Sequence, residues 1–259
     1  MTALRQYGAL SARAISHIIR QPAVLGPALV FPLIFMSISA SALDRSTSLP
    51  GFPRVDSFFQ FMLPATILQA SMFGAIFAGA DMATDIEDGF FDRLVSSPVG
   101  RTSILVGRVA GAALLAFTQA WIFFGITAIF GVHVRGGLPG MLAISGLIAI
   151  LAAGAGSLMV AFGLKSGSTE AVQGIFPLVF VFLFASSAFF PAALMHGWFR
   201  RVVESNPLTG FIDGVRYQVI SGFDLGQMTR SIEVAVSVFV IGVAVAALAL
   251  RGRLAGSGS

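Results

Sequence analysis

Apolar runs about twenty residues long recur along the whole chain, and they constrain the fold more than any other feature. Val24–Leu43, Phe58–Ala80, Thr102–Phe130, Leu138–Leu164, Val172–Phe190 and Ile232–Leu250 each approach or exceed the roughly 20 residues a helix needs to cross a bilayer. Charged residues make up 11% of the 259, against about 25% in a soluble domain, so the chain could not cover its own surface in water. The alternating pattern of a membrane barrel is absent. The expected fold is an all-α membrane protein of six transmembrane helices over residues 22–250, with a tail at 251–259. An even number of spans puts both termini on one side. Arginines and Lys165 modestly favour that side, which is therefore read as cytoplasmic.

Two segments outside the spans have their own character. In residues 1–21, Leu4, Tyr7, Ile15 and Ile18 share one helical face and Arg5, Arg13, His17 and Arg20 another, the pattern of an interfacial helix lying among headgroups. Pro191–Arg230 is long for a loop yet half apolar, with a turn at Asn206-Pro207. After the turn, Leu208, Phe211, Ile212, Val215 and Val219 form an apolar helical face, with Asp213 and Arg216 elsewhere. Residues 191–220 read as two short helices in an outward re-entrant hairpin, Asp213 pairing with Arg216 on its less buried side. Such backbone is tolerated at membrane depth only against protein or a wet cavity.

Between the second and third runs lies Asp81–Arg101, which carries Asp81, Asp85, Glu87, Asp88 and Asp92, five of the chain's 12 acidic residues. On one continuous helix Asp81, Asp85, Asp88 and Asp92 follow steps of four and three and line one face. Ile86, Phe90 and Leu94 recur on another, and Ser97-Pro98 breaks the helix. Two readings fit: an amphipathic docking helix presented to a partner in water, or a solvated loop that keeps two membrane helices apart.

Several function classes are disfavoured. There is no cysteine, and His17, His133 and His196 are too scattered for a metal motif. No catalytic or metal-ligating constellation stands out in the spans. These hold almost no ionisable residues apart from Arg108 and Glu233, which speaks against a proton-coupled pump. Gln60, Gln69, Gln119 and Gln173 read as interhelical glue. The chain lacks the Gly-rich Lys-Ser/Thr motif that cradles nucleotide phosphates, so it is expected not to be an enzyme, and a transporter of this kind needs a separate motor. A motor-independent secondary transporter or channel, or a non-transporting scaffold subunit, is the alternative.

Two blocks carry a resemblance. Asp85-Ile-Glu-Asp-Gly-Phe-Phe-Asp92-Arg93-Leu94, followed by Pro98, Arg101 and Leu105-Val-Gly107-Arg108, is similar to the signature of ABC-2 type permeases, in particular the daunorubicin-resistance exporter subgroup. Ser186-Ser-Ala-Phe189 with Pro191, then Asn206-Pro207-Leu-Thr209, Asp213 and Arg216, resembles a second run of that family. Ser97 and Val95 depart from the subgroup pattern. The resemblance implies the permease subunit of an ATP-driven exporter of a hydrophobic or amphipathic substrate (drug, lipid or glycolipid-like) in the bacterial inner membrane. It implies a dimer, homo- or heteromeric, on two cytoplasmic ATPase subunits that hold ATP and magnesium, with no cofactor in this chain and no nucleic-acid partner. It also implies a cytoplasmic coupling helix at about 81–96. Mapped here, the ATPase-docking residues are Asp85, Glu87, Asp88, Gly89, Phe90, Phe91, Asp92, Arg93, Leu94, Pro98 and Arg101, with Phe90, Phe91 and Leu94 as apolar knobs. The outer gate comprises Pro191, Asn206, Pro207, Asp213 and Arg216.

Overall fold

A computed structural model describes residues 22–96 and 101–256. The expected interfacial helix at 1–21 and the break at Ser97-Pro98 lie outside them. The described residues are helical, without strands: α1 (Pro22–Leu43), α2 (Phe58–Glu87), α3 (Phe90–Val95), α4 (Arg101–Ile129), α5 (Gly137–Ser166), α6 (Thr169–Gln173), α7 (Phe176–Phe184), α8 (Gly197–Ser205), α9 (Pro207–Ile220) and α10 (Thr229–Gly256). Short 3₁₀ turns follow α1 and precede α8 and α10.

α2 and α5 form the centre, and backbone proximity explains why. An added Cβ on Gly79 of α2 would lie 2.5 Å from the Met159 carbonyl oxygen of α5, and one on Gly154 of α5 would lie 2.5 Å from the Phe239 nitrogen of α10. With no side chain at these points, three long helices stack backbone against backbone, as small residues permit in membranes. The outward faces of α1 and α10 are apolar and exposed, including Phe31, Ile34 and Ile38 on α1 and Val240, Ile241 and Leu248 on α10. Lipid, rather than water, suits such a surface.

Five helices are long and apolar enough to cross a membrane, where the sequence reading expects six. The difference falls on the run Val172–Phe190. It is not one helix: α6 stops at Gly174, and α7 opens with Pro177 in its first turn. Proline supplies no N–H to a preceding helix, so a Gly and a Pro this close allow a break. Together 169–184 form only a short apolar stretch, about 24 Å at 1.5 Å per residue. Beyond α7, the chain turns instead of continuing to Phe190, because side chains take over its carbonyls. Asn206 Nδ2 donates to Phe182 O at 2.8 Å and to Ala185 O at 2.7 Å, and the Ser186 hydroxyl donates to Leu183 O.

The expected hairpin contains two helices that meet at Asn206, whose Oδ1 caps α9 by accepting from Leu208 N at 2.9 Å. Their environments differ sharply. α8 buries Val203 alone and leaves Trp198 exposed. α9 instead buries Phe211, Ile212, Val215 and Val219 in the main core, against Phe123, Leu147 and Ala235 among others. The apolar face read from sequence is thus a core-packing face.

Candidate functional site

The acidic stretch occupies the end of the bundle where α2 and α5 finish and α4 begins. Its first half is not a separate element, since α2 runs on to Glu87. Asp88 caps that helix through its N–H to Thr84 O, and Gly89 then adopts φ +64°, the left-handed region that glycine enters without steric cost. The short α3 follows. The single acidic face expected across Asp81, Asp85, Asp88 and Asp92 is therefore corrected to an elbow, with Asp81 and Asp85 on α2 and Asp92 on α3.

Two of these acids face inward to a cation. Arg108 of α4 reaches Asp81 at 3.3 Å through Nη1 and pairs with Asp85 through Nη2. Its side chain is only 16% exposed, so it stays within the protein. Glu87 accepts from the Thr169 N–H at 2.8 Å and from its hydroxyl at 2.9 Å, tying the end of α2 to the start of α6. Thr84 and Thr169 also share a hydroxyl bond of 2.9 Å.

α3 is pinned by Phe91, which is 3% exposed among Met82, Ile104, Leu105 and Leu164. Arg253 of α10 lies 5.9 Å from its ring and donates to Leu164 O at 2.7 Å. Phe91 was expected as an outward knob, but it packs into the protein's own core as the buried residue of α3. Leu94 is half-buried against the same cluster. Phe90 is half-buried, with the Arg93 guanidinium 5.9 Å from its ring, and Asp88, Asp92 and Arg93 are exposed. Arg101 is the first residue of α4, and Pro98 lies outside the described residues. The sequence reading assigns Arg108 no partner, although its position two turns into α4 puts it opposite the last turns of α2.

At the opposite end Asp213 and Arg216 do pair, at 2.9 Å, but not on a shared exposed side. Asp213 is half-exposed, whereas Arg216 is 5% exposed. Its guanidinium also donates to the carbonyls of Phe61 (3.3 Å), Ser187 (2.8 Å) and Ala188 (3.0 Å) and lies 4.0 Å from the Phe61 ring. Burial lowers its pKa to about 10 against the pull of Asp213, leaving it charged at neutral pH. Thr209, Ser187 and Asn206 complete a polar knot: Thr209 Oγ1 accepts from Ser187 N and donates to Val203 O, and Ser187 Oγ donates to Asp213 Oδ1. Pro207 is the first residue of α9, and Pro191 leads into the 3₁₀ turn before α8.

Residues 5–220, which include both ends just described, match the model of the ABC-2 type transporter family. The chain belongs to that family. Among relatives of this ABC-2 chain is a daunorubicin resistance ABC transporter permease protein of Streptomyces coeruleorubidus, 26% identical over 184 residues, or 70% of this chain. The chain spans 62% of that relative's length. A protein of Mycobacterium tuberculosis named as a doxorubicin resistance ABC transporter permease is 25% identical over 219 residues, covering 84% of this chain and 76% of its own. A protein of Porphyra purpurea named as a transport permease is 26% identical over 216 residues, covering 83% and 74%. These relatives are named as permeases. The ABC-2 match ends at Ile220 and so takes in all of the elbow and of α9, but not α10.

Proposed function

We propose that this chain is the membrane-spanning permease subunit of an ATP-driven exporter, moving a hydrophobic or amphipathic substrate out of the cell. Separate ATPase subunits, holding ATP and magnesium, dock at the α2–α3 elbow, which faces the cytoplasm with both termini, since the broken α6–α7 stretch still carries the chain from the Glu87–Thr169 contact to the Ser187–Arg216 contact and keeps the crossings even in number. The membrane is the bacterial inner membrane. The reading is supported by ABC-2 membership and by the names of the drug-resistance relatives.

The observation that carries it is the wiring of the elbow. A short exposed helix that took up force would need rigid links to several long helices, and α3 has them. Phe91 joins it to α2, α4, α5 and α10; Arg108 joins α4 to α2; Glu87 joins α2 to α6. A solvated spacer loop would need none of these. The docking face is then Asp88, Phe90, Asp92 and Arg93, with Gly89 setting the bend and Phe91 and Leu94 as internal anchors. The working unit is a dimer with a second copy or a paralogue, meeting through the exposed apolar faces of α1 and α7 (Phe31, Ile34, Val181, Phe182). α8–α9 acts as the outer gate, hinged at Asn206-Pro207.

Co-purification with the ATPase, followed by substrate-stimulated ATP hydrolysis in liposomes, tests the reading. Asp92→Arg should weaken docking in a salt-dependent way, as a reversed rim charge does. Transport that runs at full rate on a gradient without ATP would instead point to a motor-independent transporter.

A further inference from the structure

An open-mouthed cavity of about 590 Å³ lies at the end of the bundle away from the elbow. Its walls come from the loop before α2 (Gly51, Pro53, Arg54), the α4–α5 turn (Arg135), the residues before α8 (Pro191–Ala193) and α9 (Asp213, Arg216, Tyr217). Three arginines and one aspartate thus share one concave surface. The chain places them there by design of the backbone. Arg135 N donates to Val219 O at 3.0 Å, fixing the turn to α9, and Phe52, 8% exposed, packs its loop against Phe58 and Phe61.

The three cations are in different states of use. Arg216 is locked, with four of its five N–H groups donating and one on Nη1 without an acceptor among the described residues. Arg135 is half-exposed and paired with Asp56 at 2.6 Å. Arg54 is exposed and makes no ion pair among the described residues. Aspartate therefore offsets two of the three charges, and a positive excess remains at the cavity mouth.

Guanidinium groups in this number suit a planar or tetrahedral oxyanion, which they bind through paired N–H donors. The surface beside the cavity narrows the source. Its wall at Ala192–Ala193 runs into α8, where Trp198 is 70% exposed beside Phe199, Arg200 and Arg201. Exposed tryptophan next to arginine is the composition of the headgroup layer. The geometry points to a binding site for an anionic, phosphate-bearing headgroup in this cavity, with Arg54 and Arg135 as the solvent-exposed ligands and Arg216 as the buried one. The site is separate from ATPase docking and stands or falls independently of it.

The test is a titration of the full chain, purified in neutral detergent, with phosphatidylglycerol or phosphatidylcholine, read by native mass spectrometry. A parallel titration with inorganic phosphate is read by thermal shift. Phosphatidylglycerol should bind in preference to phosphatidylcholine. Arg54→Gln, on an exposed loop that does not hold the fold, should weaken it about tenfold, the loss of one charged hydrogen-bonding partner. Arg54→Lys, which keeps the charge but not the paired donors, should weaken binding less than Arg54→Gln does, and Arg200→Gln on α8 should leave it unchanged, which separates the cavity from general headgroup attraction. Competition by inorganic phosphate would assign the site to a free phosphate-bearing ligand, and lipid binding without it to the membrane headgroup. Equal retention of both lipids, an Arg54→Gln variant that binds like the parent, or no binding of lipid or phosphate overturns the inference.

Discussion

Arg108 sits 3.3 Å from Asp81 across the α2–α4 contact, and the same guanidinium pairs with Asp85 one turn further along α2. One cation thus clamps the last turns of α2 to the first turns of α4. All three side chains are at most one-third exposed, so the cluster is partly shielded from water and from salt.

Arg108→Gln leaves two partly buried carboxylates without this partner. It should lower stability by about 1–2 kcal/mol, less than the loss from breaking a fully buried pair because water still reaches the site. Thermal unfolding in detergent measures it. Adding Asp85→Asn to Arg108→Gln should recover part of the loss, since the unpaired charge is then gone. If the double variant is as unstable as the sum of the single ones, the two residues are not coupled.

Asn206 holds two elements at once, capping α9 through Oδ1 and closing α7 through Nδ2. Asn206→Ala should cost about 2–3 kcal/mol, a lost cap plus carbonyls left with fewer donors. Asn206→Asp keeps the cap oxygen but not the amide donors and should fall between the two. A thermal-shift series that ranks Asp with Ala would show that the amide alone matters.

Gly79 is the closest approach of α2 to α5. Gly79→Ala should destabilise by about 2 kcal/mol or more, because the obstruction is the Met159 backbone and a side-chain rotation cannot relieve it. Gly146, which has nothing within 4 Å of an added Cβ, is the control and should accept alanine without loss. Yield and melting temperature of the purified chain compare them.

The long membrane helices were legible because composition and run length alone determine them. The breaks were less so. Val172–Phe190 reads as one span by hydropathy, and only Gly174 and Pro177 hint that it divides. The shared face of Asp81, Asp85, Asp88 and Asp92, spaced in steps of four and three, assumes an unbroken helix, and Gly89 voids that assumption. Arg216 shows a different limit. Its partner Asp213 follows from i,i+3 spacing, but its burial depends on carbonyls at Phe61, Ser187 and Ala188, far away in sequence. Phe90 and Phe91 are adjacent and chemically identical, so only packing decides which faces inward.

That last pair supplies the most direct measurement. Phe91→Ala empties a filled core position and should lower stability by about 3–5 kcal/mol, losing ATPase binding through damage to the elbow. Phe90→Ala should leave the melting temperature within a few degrees. If Phe90 is an anchor on the docking face, its loss should weaken ATPase binding about thirtyfold, equivalent to about 2 kcal/mol. Co-purification of the ATPase with Phe90→Ala, beside its melting curve, separates docking from folding. A stable variant that loses the ATPase and its substrate-stimulated hydrolysis is the predicted result, and a stable variant that binds and couples like the parent contradicts the assignment of the α2–α3 elbow as the point where ATP energy enters.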